Sequence, residues 1–331
     1  MNHSPSGSFP LSKAISGFLN YKTAEGLSAR TLDSLQRNLA KWLEYLGDRE
    51  LGQVTAQDAI RYLNWLRTEY VPHRYGGKTH PLSPKTLRNV WASLSSFFSW
   101  ANLELGIPQI MKGVPAPRTR MAAITPLTQD EVSHMLKACV YSREVRPGNR
   151  KGFVMRLPNA NRDQAVLLTL LDTGLRAMEL CKLQIGDLDL KTGRVEVKHG
   201  VIGGAKGGKG RTVYLGKTAR HAVWRYLAGC EDEPSLDDPV FLTQSGRPFN
   251  PNGLRQLVKG IAERCEVKNA YPHKFRHTFA ITYLRSGGDV FTLQALLGHS
   301  SLDMVRHYAQ IAEVDVAQAH RKASPADNWR L

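Results

Sequence analysis

Three short stretches of the 331-residue sequence set arginine, histidine and tyrosine beside turn-forming glycines. In Asp172-Thr173-Gly174-Leu175-Arg176-Ala177-Met178-Glu179-Leu180, Gly174 can end one helix, and Arg176 then falls in the first turn of the next. The helix dipole and the free backbone N–H groups repel a cation there, so the arginine makes sense if a phosphate lies between it and those groups. Pairing with Glu179 or Asp172 is the other use open to it. In Pro272-His273-Lys274-Phe275-Arg276-His277-Thr278-Phe279, His273 and Arg276 are three apart and share a helix face. Arg276 can grip two phosphate oxygens, while His273 titrates near neutrality and can exchange a proton. A plainly solvated face is the alternative for this pair, and His277, one position round, reads as buried or structural. In Leu296-Leu297-Gly298-His299-Ser300-Ser301, Gly298 permits a turn and His299 can donate at the helix start that follows. Tyr308 lies nine residues on. A phenol with a pKa of about 10 attacks only where cations stabilise the phenolate or a base takes its proton. Tyr214, Tyr271 and Tyr283 lack that setting.

The elements that would carry these residues follow from periodicity and caps. Apolar positions at Leu11, Ile15, Phe18 and Leu19 predict a helix over Phe9 to Tyr21. A second starts near Ser28, runs through Leu35, Leu39 and Trp42, and closes at Gly47. Thr55 opens a third, and Ser83-Pro84 a fourth containing Leu87, Val90, Leu94, Phe97 and Trp100, so residues 1–112 form an all-α module. Residues 113–126, with Gly113-Val114-Pro115-Ala116-Pro117-Arg118-Thr119-Arg120, read as an extended basic linker. Thr128-x-x-Glu131 is a capping box that opens the next domain, residues 127–322. Residues 140–162 are expected to form a long loop before a buried helix from Asp163 to Leu171. The β-prone residues Val195, Val197, Val213 and Leu215 flank a Gly- and Lys-rich turn from Gly203 to Gly210, which predicts a small sheet. The rest reads as helical to about residue 322, including a short helix from Ala312 to Lys322, and residues 323–331 form a tail.

Composition bounds the partners. The chain carries 45 Lys and Arg against 29 Asp and Glu, a formal net charge of +16. The excess is spread: residues 1–112 hold 13 basic and 8 acidic side chains, 113–126 two basic and none acidic, and 127–331 hold 30 and 21. A membrane binder would concentrate its charge on one amphipathic segment, whereas this distribution suits a protein laid along a polyanion at several places. A hydrophobic fraction of 42 % and six Trp are enough for real cores. No window approaches the ~18 apolar residues of a membrane span. Residues Met1 to Ser8 lack the basic and apolar regions of a secretory signal. Cys139, Cys181, Cys230 and Cys265 lack the close pairing of a zinc site, and no phosphate-binding Gly-x-x-x-x-Gly-Lys-Ser/Thr loop occurs. The expectation is a cytoplasmic, reduced protein with no metal and no cofactor.

Taken in order, Thr173-Gly174-Leu175-Arg176 with Glu179-Leu180, then His273-x-x-Arg276-His277-Thr278, then Leu297-Gly298-His299-Ser300 with Tyr308, resemble the catalytic domain of the tyrosine recombinases, the lambda-integrase family. The likeness runs from roughly residue 127 to 320, and the helical module before it resembles the family's core-binding domain by pattern. The fold implied is mainly α with a small β-sheet (α+β): a four-helix, SAM-like core-binding domain and a catalytic domain closing as a C-shaped clamp. The resemblance implies that Arg176 and Arg276 hold the non-bridging oxygens of the scissile phosphate, that His299 adds a hydrogen bond, and that Tyr308 attacks phosphorus to give a 3′-phosphotyrosyl bond. His273 would accept the tyrosine's proton. Lys206, in Ala205-Lys206-Gly207-Gly208-Lys209-Gly210-Arg211, best matches the lysine that protonates the leaving 5′-oxygen; Lys209 competes, and Ala205 stands where the family's turn usually has glycine.

Storing the bond energy as a phosphotyrosine would need neither ATP nor metal. Arg30, Thr31 and Arg37 on the second helix and Lys85, Arg88 and Asn89 on the fourth would cross the DNA, with Arg118 and Arg120 closing the linker around it. The implied partner is double-stranded DNA with paired inverted core sites, worked on by a homotetramer on synapsed DNA, with Trp329 and Leu331 as anchors of an exchanged tail. It would act in the cytoplasm on the nucleoid, and not at a membrane. A monomeric type IB topoisomerase and a catalytically silent DNA-binding protein of the same fold remain as alternatives. Chromosome-dimer resolution, phage integration and movement of a transposon all stay open, although the expected lack of a separate arm-binding domain ahead of the helical module leans against the arm-site phage integrases.

Overall fold

The computed structural model describes residues 9–72, 80–119, 124–144, 153–198, 210–230, 233–298, 302–312, 320 and 324–329. Side-chain caps start the N-terminal helices where the sequence places them. Helix α1 spans Leu11–Ala24. Ser28 caps α2 (Ala29–Leu46) by accepting the Thr31 N–H, and Gly47 ends it at φ 79°. Thr55 and Asp58 form a reciprocal capping box at the start of α3 (Ala56–Thr68). Ser83 caps α4 (Pro84–Leu105), with Pro84 in the first turn, where a missing N–H costs nothing. Their apolar faces meet in one core around Phe18, Leu39, Trp42, Tyr62, Leu94, Phe97 and Phe98. Trp42 and Tyr62 pack edge to face with ring centroids 4.9 Å apart. Val114 belongs to this core and accepts a hydrogen bond from Trp91 Nε1 at 3.0 Å, so the stretch read as an extended linker starts out packed.

The chain divides into two compact units, and the second takes in Ala123–His199 and Lys209–Leu331. It opens with α5 (Gln129–Val140) on the expected Thr128–Glu131 capping box. Helix α6 (Ala160–Thr173) begins three residues earlier than predicted, because the buried pair Arg162–Asp163, N···O 2.7 Å, lets polar residues continue the helix inward. In the segment read as a loop, Tyr141 bridges antiparallel to Arg156. Helix α7 (Ala177–Cys181) follows Gly174. An antiparallel sheet β1-β2-β3 comes next: β1 (Leu188–Asp189), β2 (Arg194–Val197) and β3 (Arg211–Tyr214), with Val195 opposite both Leu188 and Val213.

The remaining helices are α8 (Lys217–Leu227), α9 (Pro251–Arg264), α10 (Pro272–Arg285), α11 (Val290–Leu297) and α12 (Asp303–Ala312). The expectation of continuous helix here is corrected between α8 and α9. In that stretch Pro239 bridges back to Gln184, which precedes β1, and Leu242 bridges to Pro248, and the prolines cannot donate to a helix. Helix α6 packs against α8 and α10, and α10 against α12. Most of the helix expected from Ala312 to Lys322 lies outside the described residues. Beyond it Pro325–Asn328 form a helical turn, and Trp329 is exposed. No helix of the described residues is long and apolar enough to cross a membrane.

Candidate active site

Gly174 ends α6 in the left-handed region at φ 61°, and a Cβ there would lie 2.5 Å from Phe279 Cδ1. Glycine alone allows both the turn and the approach of α10. The chain then delivers Arg176 to the N-cap of α7, where its backbone N–H donates to Glu179 Oε2 at 2.8 Å and its Nη1 to Glu179 Oε1 at 2.9 Å. The pairing with Glu179 that the sequence left open is therefore present. The Arg176 side chain nonetheless stays 43 % exposed, on the surface of the site.

Arg276 comes from the middle of α10 and is almost wholly buried, at 1 % exposure. Its Nη1 donates to Gly174 O at 2.8 Å and its Nη2 to Leu297 O at 2.7 Å. Burial and the neighbouring Arg176 push its pKa down to about 9, which leaves it cationic at neutral pH.

The last turn of α11 ties these groups together. Its final carbonyls carry the negative end of the helix dipole. Three successive ones each accept from a different arginine: Leu296 O from Arg211 Nε at 2.7 Å, Leu297 O from Arg276, and Gly298 O from Arg176 Nη2 at 3.3 Å. Arg211, at the start of β3, also grips Glu179 with two parallel bonds of 2.8 and 2.7 Å. Burial raises the Glu179 pKa, but the bidentate Arg211 and then Arg176 outweigh it and hold the carboxyl at about 2. Three guanidinium groups against one carboxylate leave a surplus of positive charge at the mouth of α7. Sequence reasoning missed Arg211. The available signal was Glu179 itself, an acid one turn from an arginine in a basic site.

Tyr308, on α12, is fully buried, and its hydroxyl lies 2.8 Å from His277 Nδ1. Burial raises the phenol's pKa, and the charges of Arg276 and Arg176 oppose that rise. Burial, with His273, Arg276 and His307 nearby, lowers His277 to about 4, so its ring is neutral at physiological pH. The ring of His273, exposed one turn earlier, stands edge-on to His277 with centroids 4.4 Å apart.

Arg176, His273, Arg276 and Tyr308 thus gather around the joined ends of α6, α10, α11 and α12. Lys206, its competitor Lys209, His299 and Arg120 lie outside the described residues. In the helical unit Arg30, Thr31 and Arg37 on α2 and Lys85, Arg88 and Asn89 on α4 are all exposed, as is Arg118. The Arg88 guanidinium sits 4.8 Å from the centre of the Trp91 ring.

Comparison with known proteins agrees with this geometry. The profile of the Phage integrase family matches residues 125–314, and that of the Phage integrase N-terminal SAM-like domain matches residues 15–104. Tyrosine recombinase XerD of Oceanobacillus iheyensis is 28 % identical over 324 residues, covering 95 % of this chain and 99 % of its own. Tyrosine recombinase XerC of Alcanivorax borkumensis is 30 % identical over 321 residues, covering 95 % and 94 %. Among solved structures, the XerH site-specific recombinase bound to palindromic difH substrate, a post-cleavage complex, superposes with a TM-score of 0.69 at 18 % identity, over 99 % of this chain and all of its own. The Tn1549 transposon integrase with a circular intermediate DNA gives 0.70 at 20 % identity, over 91 % and 95 %. These two structures speak for the shared fold. With a profile that matches more than half of its length and a SAM-like domain ahead of it, the chain belongs to the phage integrase family.

Proposed function

We propose that this chain is a site-specific tyrosine recombinase that breaks and rejoins double-stranded DNA through a 3′-phosphotyrosyl intermediate. The observation that carries the reading is the set of guanidinium groups seated on the end of α11 beside the buried Tyr308. Fixed cations whose places are set before substrate arrives can stabilise the charge of a pentacoordinate phosphorane without reorganising. Arg176 and Arg276 bind the non-bridging oxygens, and His299 adds a hydrogen bond. Tyr308 attacks phosphorus, and Lys206 protonates the 5′-oxygen that leaves. His273 stands at the exposed rim of the cluster. The phenol is covered in the free chain, so DNA binding has to uncover it.

The same proposal gives the chain paired inverted core sites on DNA, a homotetramer at synapsis with exchange of the C-terminal tail, and a place in the cytoplasm on the nucleoid. The basic faces of α2 and α4 and the Arg118–Arg120 stretch hold phosphates. The test is a nicked suicide duplex from a randomised-core pool, followed by denaturing electrophoresis. A covalent adduct that disappears in Tyr308→Phe supports the reading, and one that survives removes Tyr308 as nucleophile. Relaxation of supercoils on arbitrary DNA without recombinant products would mean a topoisomerase. Tight binding with no adduct would mean a silent DNA-binding protein.

A further inference from the structure

The contact between α10 and α12 points to one more participant. We infer that His277 is a catalytic residue: its Nδ1 takes the proton of Tyr308 as the phenol oxygen attacks the scissile phosphate. The inference rests on the proposed recombinase reading, in which Tyr308 is the nucleophile. It assigns to His277 a step that the sequence pattern alone would give to His273.

Geometry is the first support. In the free chain Tyr308 Oη and His277 Nδ1 are already 2.8 Å apart, within the reach a general base needs, and the inference is that the two stay paired when DNA binding uncovers the phenol. His273, by contrast, is exposed at the start of the same helix. The charge state is the second support. A ring held neutral at physiological pH has one lone pair to offer, and in the tautomer that keeps it on Nδ1 the hydroxyl donates and the imidazole accepts. Arg276 is among the groups that keep the ring from protonating. A phosphate bound against Arg276 offsets that charge, so the base strengthens as the substrate arrives.

The step balances. The Tyr308 O–H bond breaks and its proton passes to His277 Nδ1 while Oη bonds to phosphorus. The P–O5′ bond breaks, and the leaving oxygen takes one proton from Lys206. Rejoining runs the same transfers backwards, and His277 returns its proton to Tyr308.

His277→Asn is the test, because the amide oxygen of asparagine can accept the same hydrogen bond but cannot hold the proton. The probe is a nicked duplex selected from a randomised-core pool by covalent capture on the full-length wild-type chain. It is made in two forms, one with the natural 5′-oxygen and one with sulfur in its place, since a thiolate leaves without protonation. The expected result is a fall in adduct formation of about 10²–10⁴-fold on both forms, with DNA binding unchanged. A variant with 2-fluorohistidine at position 277, the same shape but a far weaker base, should lose rate in the same way and covers the case in which the asparagine chain fails to fold. An unchanged rate in both variants makes His277 a mere holder of the phenol and overturns the inference. A faster rate makes it a restraint and does the same. Rescue by the sulfur substrate moves the defect to the leaving group and also overturns it. If the wild-type chain gives no Tyr308-dependent adduct at all, it is the recombinase reading that fails.

Discussion

Replacing Arg211 by Met keeps most of the side-chain volume and removes the bidentate grip on Glu179. Glu179 is then left with Arg176 alone, and the Leu296 carbonyl loses its donor. A folded-state pKa of about 2 against an ordinary 4.5 corresponds to about 3 kcal/mol of stabilisation of the carboxylate. Removing one partner of a largely buried pair costs about 3–5 kcal/mol in general, and the Arg211 and Glu179 side chains are only 9 % and 15 % exposed. Arg176 keeps part of the pairing, so the expected loss is about 3 kcal/mol. For a domain of this size that lowers the melting temperature by roughly 6–12 °C. Because the folded-state pKa is depressed, this stability is fully present above pH 4.5 and is lost as pH falls through 4.5 toward about 2. Calorimetry of the full chain at pH 7 and at about pH 3 reads both effects, and the deficit of Arg211→Met should shrink at the lower pH. A deficit below about 1 kcal/mol at pH 7, or one that does not change with pH, would refute the idea that Arg211 and Glu179 brace the site.

Gly174→Ala should cost about 2–4 kcal/mol, since it combines a left-handed backbone with a collision at Phe279; a thermal melt indistinguishable from wild type would contradict this. His277, faced by His273 and Arg276 on α10 and by His307 and Tyr308 on α12, has a folded-state pKa lowered from 6.5 to about 4. Its contribution is therefore present above pH 6.5 and lost as pH falls toward about 4, and melting of His277→Asn should show a weaker slope in that window. Lys85→Ala and Arg30→Ala should each flatten the log–log salt dependence of DNA binding by about 0.9 where the side chain meets a phosphate. Tyr308→Phe should leave that slope unchanged, as read by fluorescence anisotropy across a salt series.

What the sequence shows and hides follows from the range of each interaction. Ser28, Thr55, Ser83 and Thr128 act within one helical turn, so their caps could be read from spacing, as could the ends at Gly47 and Gly174. The helix α6 start at Ala160 was obscured because Arg162 and Asp163 look like loop residues until their mutual pairing is seen. Strand β1 is two residues long and carries no periodicity of its own. At the site, Arg176, Arg276 and Tyr308 stood out as chemistry-bearing types next to turns. Arg211 meets Glu179 across 32 positions and His277 meets Tyr308 across 31, and such pairings exist only once the chain has folded. His277 was expected to be buried, and it is; what the spacing hid was which neighbour its ring would face.

Three arginines on three consecutive carbonyls of α11 have a thermodynamic corollary. The mutual repulsion of those guanidinium groups is built into the free chain, so an anion lodged among them relieves a tension the fold otherwise bears by itself. Mass action then couples heat resistance to occupancy: an oxyanion at a hundred times its dissociation constant would raise the stability of the unit by about 2.7 kcal/mol. Sulfate or phosphate in a buffer would register as a shift in melting temperature before any DNA is added. Measured across such salts, the hardiness of the protein and its appetite for a phosphodiester become two scales for one quantity.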